Sequence, residues 1–203
     1  EVKGDRMYID VQNSNFELQV HCHDDFGLAT ANTIAALAAG ADAASVTMNG
    51  IGERSGNTAL EEVAVALEVL YDAKTNIKLN KLREISKKIE KISGVSLQKH
   101  KPIVGDNSFR HESGMVVAGL LEETFTAEPI YPEMVGQNRE IVIGKGSGEK
   151  SLKFKLQELN LNPDKISIST LLNKVKEISI QEKRPLTDEE IIELYGNISL
   201  QKS

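Results

Sequence analysis

Residues 16–71 read FELQVHCHDDFGLATANTIAALAAGADAASVTMNGIGERSGNTALEEVAVALEVLY. Short apolar runs alternate here with longer periodic ones, and that alternation decides the fold. Residues 16–23 (FELQVHCH) predict a short strand. Residues 28–39 (LATANTIAALAA) predict an alanine-rich helix, with Gly40 placed to stop it. Residues 44–48 (ASVTM) predict a second strand, 49–56 (NGIGERSG) a glycine-rich loop, and 58–71 a helix with apolar residues at helical spacing. Strand, helix, strand, helix with short links implies parallel strands and right-handed crossovers, so the fold class is α/β. Two such units cannot close a barrel, which takes about 250 residues in full. The pattern implies a smaller fold or part of a barrel.

The second half changes character. Residues 79–92 predict an amphipathic helix with Leu82, Ile85, Ile89 and Ile92 on one stripe and Gly94 as its stop. Residues 100–108 read as a loop and 112–123 as a helix, and Pro129 and Pro132 break the next stretch. Residues 140–143 (EIVI) predict a short strand before the glycine turn at 144–148 (GKGSG). Helical stretches follow at 150–159, 169–182 and 188–195, the last opened by Thr187-Asp188-Glu189-Glu190, a capping-box pattern. A domain boundary is expected between residues 93 and 94, with a helical region over 94–203.

Composition narrows the class. Of 203 residues, 40% are hydrophobic and 27% charged, as in folded globular chains. The net charge of −6 argues against a nucleic-acid surface. No apolar run reaches the ~20 residues that span a bilayer. One cysteine, Cys22, excludes an internal disulfide, and a cytoplasmic setting is expected. The opening Glu1-Val2-Lys3-Gly4-Asp5 has no signal-peptide character, and without a starting Met the sequence is expected to begin mid-protein or after processing.

The chemistry-bearing residues lie at the C-terminal ends of the two predicted strands. His21 and His23 are two apart, so both imidazoles face one side of the strand, a ready pair of ligands for a divalent cation. The plainer reading is two histidines at a solvent-exposed strand end. Asp24 and Asp25 could orient the imidazoles, or could cap the following helix. The Gly50–Asn57 stretch (GIGERSGN) could be a simple βα turn or a phosphate cradle, although the Gly-Lys-Ser/Thr ending of a P-loop is absent. Asn57 could be a helix N-cap, or its amide oxygen could reach a metal.

The combination of H-x-H-D-D with G-x-G-E-R-x-G-N at this separation resembles the metal-binding region of the homocitrate, isopropylmalate and citramalate synthases. HESG (residues 111–114), PEMVG (132–136) and GKGSG (144–148) continue the likeness, which covers roughly residues 16–160 well and the C-terminal helices more loosely. The resemblance implies that residues 1–93 carry strands seven and eight of a TIM (β/α)8 barrel. Small helical subdomains that pack across a dimer interface would follow over residues 94–203. It implies His21, His23 and Asn57 as ligands of a divalent metal (Zn, Mn or Mg), with Glu53 and Arg54 stabilising the loop and the site.

The implied reaction is a Claisen-type condensation of acetyl-CoA with a 2-oxo acid. 2-Oxoglutarate, giving homocitrate, ranks first, ahead of oxaloacetate (a Re-citrate synthase) and of isopropylmalate or citramalate synthesis. The sequence departs from the family pattern in several places. Nothing resembling strands one to six precedes Phe16, so the acidic ligand and substrate arginine of strand one have no candidate. Val116 stands where the family has a histidine used in proton chemistry, Ala127 where it has a tyrosine, and Gly146 where GKHSG has its histidine. Acid–base work would then pass to His111, Glu112 or Tyr131. A homodimer, or a complementing N-terminal barrel portion, is the expected partner. The departures also leave open an inactive fragment, one subunit of a split enzyme, or lyase or aldolase chemistry on the same metal. With the chain ending at Ser203, a leucine-sensing regulatory domain is not expected.

Overall fold

The structure, a computed structural model, describes residues 16–200. The N-terminal residues read above for signal character lie outside this range. The chain divides into two compact units, residues 1–105 and 106–203.

In the first unit, strand β1 (Gln19–His21) is followed by helix α1 (Ala29–Ala38), strand β2 (Ala43–Ser45), helix α2 (Leu60–Tyr71) and helix α3 (Leu82–Ser93). β1 and β2 pair in parallel, with Gln19 opposite Ala43 and His21 opposite Ser45. This is the strand–helix–strand order expected from the alternation. Both strands are shorter than predicted because the chain leaves the ladder early. His23 makes an isolated bridge to Asn57, and Thr47 one to Ala59. α2 starts at Leu60 rather than at residue 58 because the Thr58 carbonyl, which a helix would offer to the N–H four residues on, instead accepts from the Thr47 N–H at 3.0 Å. α1 buries only Ala29 and Thr33, the latter hydrogen-bonded to Thr58 through the two hydroxyls at 2.8 Å. α2 buries Val63, Ala64 and Val65. α3 ends on Gly94 at φ +70°, a left-handed cap that glycine adopts without a Cβ clash.

The compact unit runs to Gly105, and the segment after α3 bonds back onto it. The Leu97 N–H donates to Glu90 Oε1 at 2.8 Å, Lys101 pairs with Glu62, and Arg83 donates to the Val104 carbonyl.

The second unit comprises strand β3 (Arg110–His111), helix α4 (Gly114–Glu122), strand β4 (Glu140–Ile141) and helices α5 (Glu149–Glu158), α6 (Ile168–Glu182) and α7 (Asp188–Leu200). β3 and β4 pair in parallel. β3 falls in a stretch where no strand is predicted, since two residues carry no period-2 signal. Its pairing comes from β4, thirty residues on. α4 begins at Gly114, two residues later than expected, because Glu112 is engaged by the glycine turn: the Gly146 N–H donates to its Oε1 at 2.7 Å. The core is Val117, Ile143, Leu152, Leu156, Leu171, Val175 and Ile191, all fully buried. The capping box forms as its residues predict: Thr187 N–H donates to Glu190 Oε2 at 2.8 Å and Glu190 N–H to Thr187 Oγ1 at 3.3 Å. Among the described residues, no helix is long and apolar enough to cross a membrane.

Candidate metal centre

β1 delivers His21 at its last paired residue, and the period-2 geometry of extended chain brings His23 to the same side. The rings meet edge to face with centroids 4.9 Å apart, and their Nε2 atoms are 3.3 Å apart. His23 then pairs by a backbone bridge with Asn57, at the far end of the glycine-rich loop. The three expected ligands therefore come from the end of β1 and from the end of the glycine-rich loop after β2, in one unit.

Two buried atoms here have no hydrogen-bond partner: Nδ1 of His23 and Oδ1 of Asn57. A neutral imidazole has one donor and one acceptor nitrogen, so a proton shared between the two Nε2 atoms still leaves His23 Nδ1 unsatisfied. The Asn57 amide donates weakly to the Ile51 carbonyl at 3.5 Å, and its oxygen is left over. The two convergent imidazoles and the orphaned carboxamide oxygen of Asn57, the backbone-bridge partner of His23, are donor types that suit a borderline divalent cation. The 3.3 Å spacing agrees with this. Two nitrogens each ~2.0–2.1 Å from one tetrahedral zinc are themselves roughly 3.3 Å apart. Among the described residues, no three histidine, cysteine, aspartate or glutamate side chains gather. Among the described residues, the candidate set is two imidazoles and an amide.

The neighbouring acids resolve differently from one another. Asp24 is not the N-cap of α1, a place taken by Leu28, but its Oδ1 accepts from the N–H of Ala29, the first residue of that helix, at 2.9 Å. Asp25 turns away to a two-pronged pair with Arg54, at 3.0 Å from Nε to Oδ1 and 2.9 Å from Nη2 to Oδ2. That hydrogen bond, more than the charge of Arg54, holds the Asp25 carboxyl below its ordinary range. No hydrogen bond joins either acid to an imidazole, so the orienting role set against capping is not what these carboxylates do. The Arg54–Asp25 pair ties the glycine-rich loop to the loop after β1. Glu53 is exposed and contributes its carbonyl to the Gly56 N–H at 2.9 Å. Asn57 is not the N-cap of α2, a place taken by Ala59. Together with Asp24, Arg54 and Lys101, Asn57 lines a cleft of about 360 Å³ whose walls do not include the imidazoles.

The loop itself is tightly built. Asn57 N–H donates to the Gly50 carbonyl at 3.0 Å, and a Cβ on Gly56, at φ +96°, would lie 2.3 Å from that same oxygen. A Cβ on Gly52 would lie 2.5 Å from the Asn57 side chain. The two glycines are what allow the loop to fold over Asn57.

His111 and Glu112 belong to the second unit. His111 Nε2 lies 2.8 Å from Glu128 Oε1, and Glu128 is also gripped by Arg139, from Nε at 2.9 Å and Nη2 at 2.5 Å. Burial pushes the Glu128 carboxyl up, but the bonds and charges of Arg139 and His111 outweigh it and hold the carboxyl below its ordinary range. Glu112 is spent on the glycine turn. Tyr131 is half exposed and meets Phe125 edge to face. Glu128 and Arg139 carry no signal in the sequence, because what marks them is a partner that folding supplies.

Comparison with known proteins adds the family. Residues 5–89 match the HMGL-like family model, and residues 103–183 match the homocitrate synthase post-HMGL domain-like model. The chain is 47% identical to a homocitrate synthase of Methanopyrus kandleri over 88% of its length, covering 45% of that protein. It is 48% identical to an (R)-citramalate synthase of Methanocaldococcus jannaschii over 82% of its length, covering 34% of that protein. It is 50% identical to a probable 2-isopropylmalate synthase of Ignicoccus hospitalis over 79% of its length, covering 40%. The chain thus spans less than half the length of these relatives. The HMGL-like family implies an α/β fold of the TIM-barrel type. By these matches the chain belongs to the HMGL-like family in its first unit and to the homocitrate synthase post-HMGL domain-like family in its second.

Proposed function

We propose that this chain supplies His21, His23 and Asn57 to a divalent-metal site in an acetyl-CoA-dependent synthase that extends a 2-oxo acid. The observation that carries the reading is the 3.3 Å approach of the two Nε2 atoms, together with the orphaned oxygen on Asn57, the residue that bridges to His23 through the backbone. β1 and β2 are taken as strands seven and eight of the barrel. The acidic ligand comes from outside the described residues, on a complementing barrel portion. A homodimer is the expected assembly.

A divalent cation held there would supply Lewis-acid chemistry toward the keto oxygen of the 2-oxo acid. The chain's residues hold and orient it. The imidazoles converge from one strand end, Asn57 adds a neutral oxygen, and the Arg54–Asp25 pair keeps the loop closed over Asn57. In the overall reaction a base takes a methyl proton from acetyl-CoA, the resulting carbon attacks the keto carbon, and water cleaves the thioester. His111 is the proposed proton acceptor, with Glu112 and Tyr131 as the other two assignments. Glu128 accepting from Nε2–H leaves His111 Nδ1 as the basic nitrogen, a fixed tautomer. 2-Oxoglutarate is the proposed acceptor, and the match to a homocitrate synthase over 88% of the chain supports it.

The test is a titration of the chain with Co2+, read from its visible absorption, against a His21→Ala/His23→Ala double variant. The wild type is expected to show a ligand-field band that the variant lacks. Equal spectra would remove the metal reading.

A further inference from the structure

We infer that Asn49 and Ser86 are positioning residues for the candidate metal centre. They clasp the glycine-rich loop to α3 and so set where the Asn57 carboxamide lies. The inference rests on the metal reading above. Asn49 sits in the left-handed region at φ 63°, a conformation that asparagine tolerates better than most side chains. Both ends of its amide are used on one residue of α3. Nδ2 donates to the Ser86 carbonyl at 3.0 Å, and Ser86 Oγ donates back to Oδ1 at 2.6 Å. The Asn49 N–H donates to Oε2 of Glu61 on α2 at 3.0 Å. Ser86 and Glu61 are both fully buried. Asn49 is thereby pinned from two helices at once.

The constraint reaches Asn57 in one residue. Gly50 follows Asn49, and its carbonyl accepts the Asn57 N–H at 3.0 Å. Gly50 N–H in turn donates to the Thr47 carbonyl, and Thr47 Oγ1 donates to the Ile51 carbonyl at 2.8 Å. A shift of Asn49 therefore carries Gly50 with it and pulls on the amide of Asn57. Ser86 is suited to its place: it sits on the buried side of a helix otherwise rich in Lys and Ile, and its small side chain admits the loop. α3 contributes no ligand, yet through this clasp it would set the position of one.

Two variants of the full chain test this. Asn49→Gly keeps the left-handed backbone accessible while deleting the side chain, and Ser86→Ala deletes the hydroxyl. In both, exchange of the Asn57 backbone N–H, followed by NMR, is expected to quicken several-fold while α1 amides keep their rates. Co2+ affinity is expected to fall about tenfold, as for loss of groups supporting a ligand. The double variant Asn49→Gly/Asn57→Ala is expected to bind Co2+ as Asn57→Ala does, because Asn49 acts only through Asn57. Additive losses in that double variant would overturn the inference, since they indicate general destabilisation. Unchanged Asn57 exchange in both single variants would overturn it too. If the wild type binds no Co2+ through its imidazoles, the metal reading falls and takes the ligand-setting role with it. Faster exchange at Asn57 alone would then support only a structural clasp.

Discussion

Glu128→Gln removes one charge from the second unit and is expected to cost it a large part of its stability. Glu128 is 2% exposed and accepts three hydrogen bonds, one from His111 and two from Arg139. Glutamine retains one acceptor oxygen and puts an NH2 where the other stood, so at least one bond becomes donor against donor. The Arg139 guanidinium then loses its anion. Breaking a buried pair from one side costs about 3–5 kcal/mol. Arg139 keeps 31% of its surface in water, and rehydration there lowers the cost to roughly 2–3 kcal/mol. For a unit of this size each kcal/mol is worth roughly 4–8 °C, so the midpoint is expected to fall by about 10–20 °C.

The pH dependence gives an independent check. The folded-state carboxyl of Glu128 lies below its ordinary value of 4.5. Its contribution is therefore complete above that pH and is lost as the pH falls through the folded-state value. Calorimetric melts of wild type and variant should differ most at neutral pH and converge in acid. A variant that melts within about 2 °C of wild type at pH 7 would refute the reasoning, as would a gap that persists unchanged to pH 3.

Other perturbations test the first unit. Gly56→Ala places a methyl 2.3 Å from the Gly50 oxygen at φ +96°; a loss of at least about 2 kcal/mol in urea unfolding is expected, with weakened Co2+ binding. Glu61 is fully buried, and desolvation raises its carboxyl pKa above the ordinary 4.5. Its stability cost therefore grows as the pH rises from 4.5 through the folded-state value. Glu61→Gln is expected to flatten that decline, measured by denaturant unfolding at pH 4 and pH 8. An equal shift at both pH values would contradict it.

The fold was legible where its causes are local. The helices over 58–71, 79–92, 169–182 and 188–195 follow from residue spacing, and the observed ones lie within a few residues of those bounds apart from the extension of α7 to Leu200. The capping box at Thr187–Glu190 needs only four consecutive residues, and it forms as read. The approach of His21 and His23 was also legible, because extended backbone repeats every two residues whatever surrounds it. The two-residue strands β3 and β4 are different. Neither has length enough to show a period, and each exists because the other is beside it.

The amino-acid sequence on its own determined which residue types stand at the strand ends and which helices flank them, since propensity and periodicity act over a few neighbouring residues. Tertiary structure decided the partners. It gave Asp25 to Arg54 rather than to an imidazole, left the Asn57 oxygen without a donor, joined Asn49 to Ser86 across thirty-seven residues, and set Glu128 between His111 and Arg139. A hydrogen bond between distant residues depends on the path of all the backbone between them, and no local pattern encodes that path.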